Sequence, residues 1–174
     1  STELIESGTV IDVNEVKVGF RKAEFTKEGF FLNGRRVQIR GLNRHQSYPY
    51  VGYAMPESVQ RDDARILKSL GVNAVRTSHY PQSQYFIDEC DKLGLLVFTE
   101  IPGWQHIGDK NWQNQAVKNV EEMVLQYRNH PSIIIWGVRI NESSDNHDFY
   151  VRTNETAHRL DPTRQSQGVG DFPR

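Results

Sequence analysis

Apolar residues are arranged in two distinct ways along this chain. Four segments place apolar side chains at helical spacing: 56–70, 82–93, 112–127 and 148–160. The runs Leu95-Leu96-Val97-Phe98 and Ile133-Ile134-Ile135-Trp136 are instead continuously apolar. Strands that are buried on both faces have this uniform composition, which is typical of parallel sheets flanked by helices. The pattern therefore predicts an α/β fold with about four βα units.

The apolar faces of the predicted helices identify the expected core. In chain order they are Val59, Ile66, Leu67 and Leu70, then Phe86, Cys90 and Leu93, and then Ala116, Val120, Met123, Val124 and Tyr127. Gly71 and Gly94 follow the first two helices, where glycine commonly ends a helix. Cys90 is the only cysteine, so the chain can form no internal disulfide, and we expect its thiol to pack inside the fold.

The residues before the first βα unit have a different pattern. Thr9–Phe20 is rich in β-branched residues and predicts a strand. Further on, the runs Phe30–Leu32 and Val37–Ile39 flank Asn33-Gly34, the strongest short-range signal for a β-hairpin. We therefore expect a short β leader and hairpin in front of the βα units.

Length and charge narrow the class of protein. The 174 residues suffice for one domain but are fewer than the roughly 250 of a complete (β/α)8 barrel. Lys and Arg total 21 against 22 Asp and Glu, a formal charge of −1, so electrostatics gives no reason to expect nucleic acid or an anionic membrane as partner. The sequence has no signal-peptide pattern and no apolar stretch of membrane-spanning length. Because the chain begins at Ser1, a signal could have preceded it, and the localisation is unknown.

Polar side chains follow each predicted strand, at the ends where parallel α/β folds bind ligands. In strand order these residues are Arg40, Asn43, Arg44 and His45; Arg76, Thr77, Ser78, His79 and Tyr80; Glu100, Trp104 and His106; and Asn141 and Glu142. Any one of them taken singly is expected to be a solvated or structural loop residue. Together they favour a carbohydrate site, because sugar hydroxyls need planar polar partners and sugar faces need aromatic rings.

A metal or nucleotide site is the alternative interpretation of these loops. His45, His79 and His106 with Glu100 or Glu142 would supply a 2-His-carboxylate set. No two of them have the i, i+4 spacing of the commoner helical motifs, so we expect no bound metal and no cofactor, with magnesium the remaining alternative. No glycine-rich loop follows a predicted strand, which argues against a dinucleotide- or phosphate-binding protein.

Four ordered segments carry a family resemblance. They are Phe31–Gly34 continuing to Arg40–His45, Ala74–Pro81, Arg128–Trp136 and Asn141-Glu142-Ser143. Taken in order, they resemble glycoside hydrolase family 2, the family of β-galactosidases and β-glucuronidases, over nearly all of the chain beyond about residue 15. The resemblance implies a partial (β/α)8 TIM barrel: residues 1–24 would end a preceding β-sandwich or linker, and residues 25–174 would form the N-terminal half of the catalytic domain.

The resemblance also implies roles for residues. Glu142 matches the general acid/base of a retaining β-glycosidase, and Asn141 matches the residue that binds the sugar 2-hydroxyl. The remaining substrate-binding positions that it implies are His45, His79, Arg76, Glu100 and Trp104. An acid must be protonated near neutral pH, so we expect partial burial and a partner carboxylate to raise the pKa of Glu142.

Three departures from the family pattern affect this interpretation. Four residues, Gly137–Ile140, separate Trp136 from Asn141 where the family usually has three, which predicts a bulge at the strand end. Trp104 stands two residues before His106, where magnesium-dependent β-galactosidases offer a carboxylate, and it suggests an aromatic wall for the substrate. The nucleophilic glutamate of the family lies on the seventh strand, so none of the 174 residues matches it and the isolated chain is expected to be inactive.

A second class of function remains open. The chain could be a carbohydrate-binding module without chemistry, or a half-barrel that associates with itself. The first and fourth barrel strands would then be unpaired edges, and apolar faces meant for further strands would be exposed. Self-association is accordingly expected whichever function holds.

Overall fold

The computed structural model describes residues 1–167 as ten strands and four helices. In chain order they are β1 (Thr2–Glu6), β2 (Thr9–Asn14), β3 (Ala23–Thr26), β4 (Gly29–Leu32), β5 (Arg35–Arg36), β6 (Gly41–Arg44), α1 (Glu57–Ser69), β7 (Ala74–Thr77), α2 (Gln84–Leu93), β8 (Leu96–Glu100), α3 (Lys110–Tyr127), β9 (Ile133–Gly137), α4 (His147–Leu160) and β10 (Gln165–Gln167). From β6 onward strands and helices alternate, as the hydrophobic pattern predicts.

The βα segment forms one parallel sheet. Its five strands lie in the order β10-β9-β8-β7-β6, so each strand pairs with the next one along the chain. A doubly wound sheet reverses its strand order at a switch point, whereas a barrel does not, so the observed order is that of a barrel wall. The predicted α/β fold is confirmed. The expectation that the fourth barrel strand, β9, is an edge was wrong, because β10 pairs with its outer side.

The main core lies between the outer face of the sheet and the helices. Its members include Val75, Phe86, Val97, Met123 and Trp136, all buried. Each of the residues predicted for the face of α3 is buried as well. Burial raises the pKa of the Cys90 thiol, which packs in this core as expected. Within residues 1–167, no helix combines the length and apolar character needed to cross a membrane.

The buried face of α1 differs from the prediction. Ile66 and Leu70 are 56% and 65% exposed, and Gln60 and Ala64 are buried in their place. The reason is a buried arginine, Arg44 at the end of β6, whose Nη2 atom lies 2.9 Å from Oε1 of Gln60. A buried guanidinium must be paired, so the helix turns polar side chains toward the core at this point.

The N-terminal strands form two smaller sheets. β1 and β2 pair antiparallel and are exposed throughout, and the strand predicted to reach Phe20 ends at Asn14. Asn33 and Gly34 both have positive φ, 51° and 77°, and form the predicted turn between β4 and β5. β5 ends at Arg36, so the predicted strand run Val37–Ile39 lies beyond it. There the chain keeps one backbone hydrogen bond to β4, from Val37 N to Phe30 O.

The inner face of the sheet is partly covered. Phe30 of β4 packs on Ala74, Leu96 and Ile134 at one end. Leu42 on the edge strand β6 remains 47% exposed. The expected self-association is based on this exposed apolar surface, and it remains a prediction.

Gly94 offers a test of helix termination. It ends α2 in the left-handed conformation, with φ 66°, and a Cβ atom there would meet nothing within 4 Å. Gly94→Ala should therefore lower the free energy of unfolding by about 1 kcal/mol through backbone strain alone. Gly94→Asn should cost less, because asparagine tolerates this conformation. Urea denaturation followed by tryptophan fluorescence measures both, and equal losses in the two variants would contradict the explanation.

Candidate active site

A cavity opens at the carboxyl ends of the barrel strands. It has a volume of about 500 Å³ and is lined by His45, Tyr53, His79, Tyr80, Gly103, Trp104 and Glu142. Four of the residues to which the family resemblance assigns a role, His45, His79, Trp104 and Glu142, therefore line one cavity. They come from the segments that follow β6, β7, β8 and β9, which are far apart in sequence.

Glu142 projects into this cavity from the loop after β9. Its backbone has φ 55°, a left-handed conformation that is uncommon for a residue with a side chain. The indole Nε1 of Trp104 donates to its Oε2 atom at 3.0 Å, and the amide Nε2 of Gln105 donates to the same atom at 3.2 Å. The carboxylate is thus held by the loop that follows the neighbouring strand, while its Oε1 atom receives neither of these bonds.

These contacts reverse the expected shift in the pKa of Glu142. The hydrogen bonds from Trp104 and then Gln105 stabilise the ionised form and lower the pKa, and the side chain is exposed. The sequence predicted a raised value from partial burial and a partner carboxylate. That prediction was wrong for the described residues, in which Glu142 is the only carboxylate among the residues that line the cavity.

A charged network lies behind the cavity. Glu100 at the end of β8 is 1% exposed, and its Oε1 atom accepts from Nε and Nη2 of Arg76 at 2.8 and 2.5 Å. Its Oε2 atom lies 2.9 Å from Nδ1 of His79, so the carboxylate fixes that ring nitrogen as the donor. The Nη2 atom of Arg76 also donates to Oδ1 of Asn141 at 2.7 Å. One buried carboxylate thereby orients Arg76 and His79, and Arg76 orients Asn141.

The loops after β8 and β9 are joined directly. Trp104 and Asn141 form a parallel bridge, and Gln105 N donates to Asn141 O at 2.7 Å. Gly103 permits the approach, because a Cβ atom there would lie 2.6 Å from Cδ1 of Ile140. The predicted bulge after Trp136 was wrong in position. The register shift lies at the start of β9, where Val97 and Phe98 pair with Ile133 and Ile135 and leave Ile134 unmatched.

Aromatic rings form the other wall of the cavity. The rings of His45 and His79 meet edge to face with centroids 5.6 Å apart, and Tyr80 lies 6.2 Å from His45. Tyr53 packs against Tyr80 at 5.7 Å. Gln46 N donates to the Tyr80 hydroxyl at 2.9 Å, and burial raises the pKa of that hydroxyl. This wall offers apolar ring surface opposite the polar groups.

Some residues that the sequence predicted for the site lie outside the cavity, and some residues of the site were not predicted. Arg44 points into the core and pairs with Asp63. Arg40 and His106 are exposed and do not line the cavity. Gln105 and Tyr53 were not singled out, because a glutamine and a tyrosine in irregular loops carry no spacing signal. The position of Gln105 beside Trp104 was the only available clue.

The predicted alternative metal set does not form a cluster in residues 1–167. Within the predicted set, His79 and Glu100 contact each other as a pair. The three side chains in the described residues whose ligand atoms all lie within 4.8 Å of one another are instead Asp88, Asp91 and His130, at the opposite end of the barrel. His130 Nδ1 lies 2.7 Å from Asp91 Oδ2, and Asp91 Oδ1 accepts from Ser132 N at 2.9 Å. Both oxygens of Asp91 therefore already have hydrogen-bond partners in the segment that leads into β9. The expectation of no bound metal remains a prediction.

Comparisons with known proteins agree with this geometry. Residues 23–172 match the family described as "Glycosyl hydrolases family 2, TIM barrel domain". The chain is 58% identical over 171 residues to a β-galactosidase of Thermoanaerobacter pseudethanolicus, covering 97% of this chain and 23% of that protein. It is 61% identical over 159 residues to a β-galactosidase of Thermoanaerobacterium thermosulfurigenes, covering 91% of this chain and 22% of that protein. The apo structure of Bacteroides uniformis β-glucuronidase 3 superposes with a TM-score of 0.84 at 38% identity, over 94% of this chain and 22% of that one.

The chain thus spans less than a quarter of the length of these relatives. The family match extends over most of the chain, from the first residue of β3 to beyond β10. It confirms that the parallel sheet is part of a TIM barrel, as the resemblance implied. The chain therefore belongs to glycosyl hydrolases family 2 and forms part of the TIM barrel domain that defines the match.

Proposed function

We propose that this chain supplies the acid/base side of the active site of a retaining β-glycosidase. The observation that carries the proposal is the convergence of Glu142, His45, His79 and Trp104 on one cavity at the carboxyl ends of the strands. Barrel enzymes place their active sites at this end. Glu142 is the general acid/base, and the other three contact the sugar.

The two oxygens of Glu142 have different tasks in this proposal. Trp104 and Gln105 both donate to Oε2, which fixes the plane of the carboxyl group. Oε1 is then the atom that carries the proton. In the first step it protonates the departing glycosidic oxygen, and in the second it removes a proton from the attacking water.

Asn141 binds the sugar 2-hydroxyl in the same proposal. Its Oδ1 atom accepts from Arg76, which leaves the Nδ2 amide group as the donor for substrate. Arg76 and Glu100 act through this contact and through His79 rather than by touching the sugar. The substrate-binding roles predicted for Arg76 and Glu100 therefore become positioning roles.

The lowered pKa of Glu142 sets a requirement for the complete site. A carboxylate held ionised by two donors suits the base step but not the acid step. Retaining enzymes place a second carboxylate roughly 5 Å from the first, and its negative charge raises the pKa of the acid/base. In the described residues no such group lines the cavity, so we expect the nucleophile to come from outside them.

We infer a β-galactoside as the substrate. The two relatives with 58% and 61% identity are both named β-galactosidase, whereas the structural relative at 38% identity is a β-glucuronidase. The substrate assignment therefore rests on the names of these two relatives.

A chimera provides the direct test. This chain would replace the matching 159 residues of the Thermoanaerobacterium thermosulfurigenes relative. We expect the chimera to hydrolyse an aryl β-galactoside faster than the matching β-glucuronide, and the purified chain alone to hydrolyse neither. Turnover by the chain alone would show that it provides its own nucleophile, and preference of the chimera for the glucuronide would refute the substrate assignment.

The exposed inner face favours a second candidate function, a self-associating or carbohydrate-binding half-barrel without chemistry. Leu42 and Ile39 are exposed at the open edge formed by β6. A correctly folded chimera with no glycosidase activity, together with a dimeric chain in light scattering, would support this candidate instead.

A further inference from the structure

The loop that presents Glu142 is tied to α4 by a set of contacts outside the cavity. Nη2 of Arg139 donates to Ser143 O at 3.1 Å and to Asp145 Oδ1 at 2.6 Å. Its guanidinium lies over the ring of Tyr150, with Cζ 4.6 Å from the ring centroid. One arginine therefore bridges both sides of the loop and rests on a helix.

Ser143 completes the connection. Its side chain is fully buried, and its Oγ atom hydrogen-bonds the Tyr150 hydroxyl and donates to Ile140 O at 2.7 Å. The backbone on either side of Glu142 is thus held at Ile140 and at Ser143. Burial raises the pKa of the Tyr150 hydroxyl, so this phenol remains protonated and available for the bond.

We propose that Arg139 and Tyr150 form a clamp that holds Glu142 in its left-handed backbone conformation and so positions the acid/base carboxyl group. The proposal rests on the proposed function of Glu142 for its catalytic consequence, but not for its geometry. Neither clamp residue lines the cavity, so both act through the loop.

Two features indicate a purpose other than stability. A left-handed conformation at a residue with a side chain is strained and persists only where its surroundings enforce it. In addition, the buried Nε atom of Arg139 has no hydrogen-bond partner among the described residues. An unpaired buried donor is costly, and apolar packing would serve stability better. Strain and an unpaired donor on one short loop are typical of a functional constraint.

The hydrogen bond between Trp104 and Glu142 reports on the clamp. The chain has three tryptophans, so the indole N–H region of a ¹H–¹⁵N spectrum is simple, and Trp104→Phe assigns the signal of interest. Glu142→Ala gives the position of that signal without the bond. The indole of Trp136, which donates to Asp161 at 2.9 Å in the core, is the internal control for folding.

In the purified chain, Arg139→Met should move the Trp104 signal most of the way to its position in Glu142→Ala, and Tyr150→Phe should move it partway. In Arg139→Lys the Trp104 signal should lie closer to its position in the unchanged chain than it does in Arg139→Met. Arg152→Met is the matched control, because Arg152 on α4 binds Asn114 rather than the loop, and it should leave the Trp104 signal in place.

Two results would overturn the clamp: an unmoved Trp104 signal in Arg139→Met, or equal displacement of the Trp104 and Trp136 signals, which would indicate general unfolding. In the chimera, Arg139→Met should lower kcat on the order of tenfold to a hundredfold for alkyl β-galactosides and less for aryl ones. If the Trp104 signal moves as expected while Glu142 variants remain active, the clamp stands and the proposed function fails.

Discussion

Glu142→Gln in the chimera should reduce hydrolysis of alkyl β-galactosides by about 10²- to 10⁴-fold, the usual contribution of general acid–base catalysis. The amide has nearly the same shape and can still accept from Trp104 and Gln105, so the loss is one of proton transfer rather than of structure. Steady-state kinetics over a series of leaving groups measures it. The loss should grow with the pKa of the leaving group, because a poor leaving group needs the proton and a nitrophenolate does not.

Sodium azide provides a second measurement on the same variant. Azide attacks a glycosyl-enzyme intermediate without needing a base, so it should restore turnover of an activated aryl substrate and yield the β-glycosyl azide. Glu155→Gln, at an exposed glutamate of α4, is the matched control and should leave both reactions unchanged. A loss in Glu142→Gln that is independent of the leaving group, without azide rescue, would contradict the assignment of Glu142 as acid/base.

The sequence predicted the fold of the βα segment well because periodicity reflects burial. The continuous apolar runs become β8 and β9, and the predicted face of α3 is buried throughout. Periodicity failed at α1, where Ile66 is exposed. A buried arginine on a distant strand decides the orientation of that helix, and such a tertiary pairing leaves no mark in the spacing of α1 itself.

The sequence predicted part of the lining of the cavity but not the electrostatics of the candidate site. His45, His79 and Trp104 converge with Glu142 because parallel strands end at the same edge of the sheet. The direction of the Glu142 pKa shift could not be predicted, because it depends on the side chains of Trp104 and Gln105 meeting one carboxylate oxygen. The left-handed backbone of Glu142 and the contacts of its loop with Tyr150 could not be predicted either, because they arise from contacts between a loop and a helix.

Asp161→Asn should lower the free energy of unfolding by about 3–5 kcal/mol, the largest loss among the variants proposed, because it leaves the buried Arg164 without its ionic partner. Asp161 and Arg164 are both buried and ion-paired, and Asp161 also accepts from Nε1 of Trp136 at 2.9 Å. Arg164 donates in turn to the carbonyls of Ile133, Arg128 and His130, which joins the end of α4 to the entry of β9. Asp62→Asn, at an exposed ion pair on α1, is the matched control and should cost less than about 1 kcal/mol.

The pH dependence of this loss follows from the pKa of Asp161. Burial raises that pKa, but the hydrogen bonds from Thr163, Arg164 and Trp136 outweigh it, and the net shift is downward. A carboxyl group with a lowered folded-state pKa stabilises the protein above its unfolded pKa of about 4, and this stability is lost as the pH falls through the folded value. Urea denaturation of the parent chain and Asp161→Asn should therefore differ most at neutral pH and converge in acid. A difference that stays constant from pH 7 to the acid limit would show that Asp161 acts through packing and not through its charge.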